Sequence, residues 1–168
     1  MESHSNHESL GSPIHRRLGE GEAVWAMGSL FEIKLDTAET AGGFELAEIH
    51  QPPGVATPLH SHRREAEVFY VIDGRLDYEA GGEIYQLEAG STMYLPMGVP
   101  HRFRIRGTTP ATILAMVSPG GLFDLYRQVG VPAGDRSIPE YPDPAELGRW
   151  GNVAPRFGLE VLGPPLPE

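Results

Sequence analysis

The sequence predicts an all-β, single-domain barrel or sandwich, with the helices of a C-terminal extension packed on its outside. Three observations predict it. Roughly eight short apolar segments follow one another between residues 24 and 118, as in small barrels and sandwiches. Gly (21) and Pro (16) are abundant and have no period. They fall between those segments, where turns joining strands belong. After Pro119 the apolar spacing changes from that of a strand to that of a helix.

Residues 1–20 are polar and irregular and read as a flexible arm, in which His4, His7 and His15 read as solvated. Residues 21–118 read as the β-domain. Val24 to Ala26 and Leu30 to Leu35 carry apolar residues at short range, and Phe44, Leu46 and Glu48 alternate with Glu45, Ala47 and Ile49. Val68 to Ile72 is a continuous apolar run, which predicts a strand covered on both faces. Leu76, Tyr78 and Ala80 alternate with charged neighbours, which predicts a half-buried strand. Gly81-Gly82 then suits a two-residue hairpin, because both positions tolerate positive φ. Ile84 to Leu87, Ser91 to Leu95, Arg102 to Arg106 and Ala111 to Ser118 complete the set.

Residues 119–168 read as a helical extension with a Pro-rich tail. Leu122, Leu125, Tyr126 and Val129 share one helical face, ended by Gly130 and Pro132. A Pro-rich linker follows. Asp143-Pro144-Ala145-Glu146 then predicts a capping box, with Leu147 and Trp150 as the apolar face of a second helix.

Composition narrows the chemistry. Among 168 residues there is no Cys, so disulfides, thiolate metal sites and thiol nucleophiles are excluded, and any metal must be held by nitrogen and oxygen. Thirteen basic against 23 acidic residues leave a formal charge of −10, which repels phosphate backbones and argues against a nucleic-acid partner. No apolar run reaches the length of a membrane span, and the first residues lack the apolar core of a secretory signal. The expectation is a cytoplasmic chain.

The informative stretch is Gly54 to Gly74. His60 and His62 are two residues apart, so on a strand their imidazoles share a face and can meet one ion at about 2.0–2.2 Å. Glu67 follows after the charged Arg63-Arg64-Glu65, where a short turn would return the chain antiparallel and bring its carboxylate across from the histidines. The fourth candidate is His101, held after a turn stiffened by Pro96, Gly98 and Pro100. Three imidazoles and a carboxylate suit one divalent transition metal: Fe, Ni, Co, Mn, Cu or Zn. Glu65 rivals Glu67, since the two share parity.

These residues resemble the cupin superfamily. Its first motif is matched by Gly54, His60, His62, Glu67 and Gly74, and its second by Gly90, Pro96, Gly98 and His101; Ile105 stands where the second motif ends in Asn. The family spacing favours Glu67 over Glu65 as ligand. Only 15 residues, Arg75 to Ala89, separate the motifs, as in compact microbial single-barrel members. The segments Ser118 to Gly130 and Leu159 to Pro165 resemble those of bacterial single-domain, quercetin-dioxygenase-like cupins. The resemblance implies a double-stranded β-helix, a jelly-roll-like barrel. It also implies a homodimer, as sheet edges need cover.

In that subfamily the substrate is an enolate cleaved with O2, so the resemblance implies a dioxygenase acting on a flavonol-like or other enolisable aromatic compound. Glu67 would be both ligand and proton acceptor; Glu48 or His50 are secondary candidates for the base. Phe69 and Val71 share parity with Glu67, and Phe103 and Ile105 with His101. With Phe44, Leu46, Met93 and Leu95 they are the candidate substrate wall. Two other readings stand beside this one: a non-redox isomerase or polyketide-type cyclase, and a non-catalytic small-molecule-binding barrel.

Overall fold

The computed structural model describes residues 12–139 and 144–168. In chain order the strands are β1 (Glu22–Ala26), β2 (Ser29–Leu35), β3 (Glu45–Gln51), β4 (Pro58–His62), β5 (Ala66–Asp73), β6 (Arg75–Ala80), β7 (Glu83–Glu88), β8 (Thr92–Leu95), β9 (His101–Arg106) and β10 (Ala111–Ser118). Helix α1 (Phe123–Val129), β11 (Val131–Pro132), helix α2 (Pro144–Val153), a 3-10 turn (Ala154–Phe157) and β12 (Leu159–Pro165) follow. One sheet runs β11-β1-β2-β3-β10-β5-β8 and the other β12-β4-β9-β6-β7, both antiparallel. The sheets face each other as a jelly-roll sandwich; no ladder among the described residues closes them into a barrel.

Alternation decides which side chains fill the space between the sheets. Phe69 and Val71 from β5 meet Tyr78 from β6 and Phe103 from β9, and the rings of Phe69 and Tyr78 lie 5.5 Å apart, edge to face. The Gly81-Gly82 hairpin forms as the sequence predicts, with Ala80 opposite Glu83 and both glycines at positive φ. Gly74 explains its place in the motif. Its φ is +88°, and a Cβ there would lie 2.6 Å from Ala111 Cα. Gly74→Ala is therefore expected to cost about 2–4 kcal/mol, read as a lower denaturant midpoint.

Several expectations need correction. Val68 to Ile72 is not covered on both faces: Tyr70 and Ile72 are exposed, because only the Glu67, Phe69 and Val71 side of β5 faces the other sheet. The Arg63–Glu65 link does not make a hairpin; it carries the chain from β4 in one sheet to β5 in the other. The Pro-rich ending contains a strand, β12, paired along β4 with Leu159 opposite His62 and Val161 opposite His60. Proline is compatible with it because β12 is an edge strand. Arg102 and Arg104 hold its end and the residue after it, donating to the carbonyls of Pro164 and Leu166.

Helix α1 buries Leu125 and Val129 as predicted, and Phe123 with them. On α2, Trp150 is buried but Leu147 is largely exposed, so the apolar face is narrower than expected. Asp143 of the expected capping box lies outside the described residues, as do His4 and His7. Glu146 accepts a 2.7 Å hydrogen bond from the Met27 backbone N–H and so ties α2 to the β1–β2 turn. Both helices lie outside the two sheets, and both reach the interior cavity with aromatic side chains.

Candidate metal centre

The site forms where β4, β5 and β9 come together. β4 meets β9 through the single pair His60 and His101, which sets those imidazoles side by side with ring centroids 4.3 Å apart. The i, i+2 spacing puts His62 on the same face of β4. The turn before β9 is locked onto this strand: the Gly98 N–H donates to the His62 carbonyl at 2.7 Å. One ring nitrogen from each of His60, His62 and His101 lies within 4.8 Å of the others, all three residues being buried. Glu67 enters from the facing sheet. Its Oε2 lies 3.4 Å from His101 Nε2 and 3.8 Å from His62 Nε2.

Hydrogen bonds orient each ring. The Nδ1–H groups of His60 and His101 donate to the carbonyls of Pro58 (2.8 Å) and Val99 (2.9 Å), which leaves each Nε2 as a lone-pair donor. His62 Nδ1 is 3.3 Å from Glu65 Oε1, so Glu65 faces the far side of that ring while Glu67 faces the cluster. Parity alone cannot separate these carboxylates; the return of the chain between sheets does. His62 Nε2, His101 Nε2 and Glu67 Oε2 are buried and lack a hydrogen-bond partner, the 3.4 Å approach lacking the required alignment. Buried polar atoms without partners are rare, and this donor set is one a divalent metal satisfies.

Electrostatics agree with that fit. Burial, with His101 and His62 adding to it, pushes the His60 pKa down to about 3, so this ring is neutral at neutral pH. Burial also opposes the charge on His62, but Glu67 and Glu65 outweigh it and raise the pKa. For Glu67 burial is likewise outweighed, here by His62, His101 and His60, and the carboxylate is held below its usual range. Glu65→Ala is expected to weaken metal binding about 10- to 100-fold through loss of ring orientation, measured by competition with a chelator.

A cavity of about 50 Å³ opens beside the cluster and is lined by His60, Glu67 and His101. Phe69 and Phe103 line it. Val71, Ile105 and Leu95 are buried in the core away from its lining, and Met93 is packed against that core. Phe44 and Leu46 are only partly buried, and Leu46 sits on the outer face of β3. Glu48 and His50 share that outer face and do not reach the cavity; Glu48 instead lies near Lys34, and His50 contacts Thr112. The remaining wall includes Phe31, Gln51, Tyr78, Phe123, Tyr126 and Trp150. Tyr78 and Gln51 could have been found from the alternation of β6 and β3, but nothing in the sequence aims the helix residues at the site.

Two antiparallel sheets enclosing buried histidines and a glutamate have the arrangement of a cupin fold. Residues 47–117 match the family model described as Cupin domain. The chain is 29% identical over 129 residues to a quercetin 2,3-dioxygenase of Bacillus subtilis, covering 77% of this chain and 38% of that protein. It is also 29% identical over 108 residues to the tetracenomycin polyketide synthase protein TcmJ of Streptomyces glaucescens, covering 64% of this chain and 66% of that protein. The chain therefore spans less than two thirds of either relative. An RmlC-like cupin from Shewanella frigidimarina superposes with a TM-score of 0.54 at 21% identity, covering 66% of this chain and 96% of that one, a likeness of fold. Among the described residues no helix is long and apolar enough to cross a membrane.

Proposed function

We propose that this cupin-fold protein is a metal-dependent dioxygenase acting on an enolisable carbonyl compound, with His60, His62, His101 and Glu67 holding one divalent transition metal. The observation that carries the reading is the convergence of unpartnered buried Nε2 and carboxylate atoms at one end of an aromatic-walled cavity. A bound ion would supply a Lewis-acid centre and, if redox-active, access to O2 chemistry. Glu67, which lines the cavity, would serve as acceptor for the proton of a substrate hydroxyl. Phe69 and Phe103 present flat apolar walls that orient a planar enol and exclude water. Tyr78, its pKa raised well above the ordinary value by burial and then by Glu67, keeps its proton and acts as a donor.

The test is metal analysis of protein purified without chelator, then oxygen uptake with Fe-, Ni- and Co-loaded samples and a panel of enolisable carbonyl compounds. Metal at one equivalent with uptake supports the reading. Metal without uptake favours a non-redox cyclase or isomerase, the alternative to which the likeness to TcmJ points. Absence of bound metal leaves a non-catalytic small-molecule-binding protein.

A further inference from the structure

Among the described residues, six buried side-chain atoms lack a hydrogen-bond partner. Three belong to the metal centre. The other three are Gln51 Oε1, Tyr78 Oη and Trp150 Nε1, and all three residues line the same cavity. They come from β3, β6 and α2, so no local feature of the chain explains their meeting. Isolated buried polar atoms cost stability, so three on residues that line one small cavity mark a place where a ligand completes them.

We infer that Gln51, Tyr78 and Trp150 are substrate-positioning residues that select a small, uncharged hydroxy-carbonyl compound. This deepens the function proposed above and rests on it for the chemistry, though not for the recognition. The Trp150 N–H and the Tyr78 O–H are donors, and each needs an acceptor. The Gln51 Nε2 already donates to Ser29 Oγ at 3.3 Å, so its Oε1 needs a donor. A carbonyl beside a hydroxyl offers two acceptor oxygens and one O–H. Position relative to the centre fits: the Tyr78 ring stacks with His101 (6.0 Å, 13°), and Trp150 meets His60 edge-on (6.0 Å, 89°).

Charge and size restrict the class further. Among the described residues no Lys or Arg lines the cavity, so a phosphate dianion would enter without a cationic side chain to receive it. The cavity is small, about 50 Å³, and partly open, so it favours a compact compound. A three-ring flavonol needs several times that, on the order of the hundreds of Å³ of drug-sized pockets.

Saturation-transfer NMR with dihydroxyacetone, its phosphate and quercetin tests this on metal-loaded and metal-free protein. Dihydroxyacetone is expected to bind, and the other two are not. Tyr78→Phe and Trp150→Phe keep the rings and remove the donors. Each is expected to weaken dihydroxyacetone about three- to tenfold, with metal content retained and melting temperature unchanged or raised. A purely structural role would instead lower the melting temperature and spare binding. No wild-type signal from dihydroxyacetone, equal binding of its phosphate, or unchanged affinity in both Phe variants overturns the inference. Loss of the metal reading alone shows separately, as metal-free wild-type protein whose dihydroxyacetone binding still depends on Tyr78 and Trp150.

Discussion

His62→Ala is expected to weaken metal binding by about 100-fold or more, since even the partners that merely orient metal ligands are worth 10- to 100-fold. The ring offers Nε2 to the cluster and is fixed from behind by Glu65, so its loss removes a donor and strands two carboxylates at once. Glu67 then loses its leading favourable charge, and burial drives its pKa upward. Elemental analysis of the purified variant checks the first effect and titration of the metal-free variant the second. Metal content equal to wild type in a folded His62→Ala protein would sink the ligand assignment.

The metal-free protein is expected to lose stability steeply in acid, with His60 as the leading cause. Its pKa is about 3 when folded, against an ordinary value of 6.5. Below the ordinary value the unfolded chain takes up a proton that the folded chain refuses, so stability falls as pH drops from about 6.5 toward about 3. The full effect is on the order of 4–5 kcal/mol at about 1.4 kcal/mol per unit. That is a large share of the roughly 5–15 kcal/mol of a typical domain. Glu67, held below its usual range, adds to the loss once pH falls through its folded value. His62 has the opposite sign: its raised pKa contributes fully below 6.5 and is lost as pH rises through the folded value. Its contribution is therefore constant over the acid window and does not cancel the slope. Urea midpoints across that window check the slope, and His60→Gln should flatten it.

What was legible in the sequence follows from which signals are local. Alternation at Leu76, Tyr78 and Ala80 and the glycine pair after them give β6, its inward face and its hairpin directly, because side-chain parity and positive φ are properties of adjacent residues. The His-x-His spacing places two imidazoles on one face for the same reason. Longer-range relations do not appear in such patterns. The run Val68 to Ile72 looks doubly buried because Tyr70 and Ile72 are apolar, yet they face outward. Prolines in the ending conceal β12, whose existence depends on the free edge of β4. Glu65 and Glu67 share parity, and only the crossing between sheets gives one to the back of His62 and the other to its front. The wall residues were hardest: Leu46 and Phe69 are equally apolar, and Trp150 reaches the cavity from a helix whose docking no periodicity encodes.

The pairing of β4 has a consequence for biogenesis. On its β9 side the strand makes one registered pair, and its continuous neighbour is β12, which begins 97 residues after His62 (159 − 62). During vectorial synthesis the two histidines therefore leave the ribosome long before the strand that braces them. With the metal held as proposed, ion capture would belong to the finished sandwich rather than to the nascent chain, and a translation product halted before Leu159 should be metal-poor even with every imidazole in place.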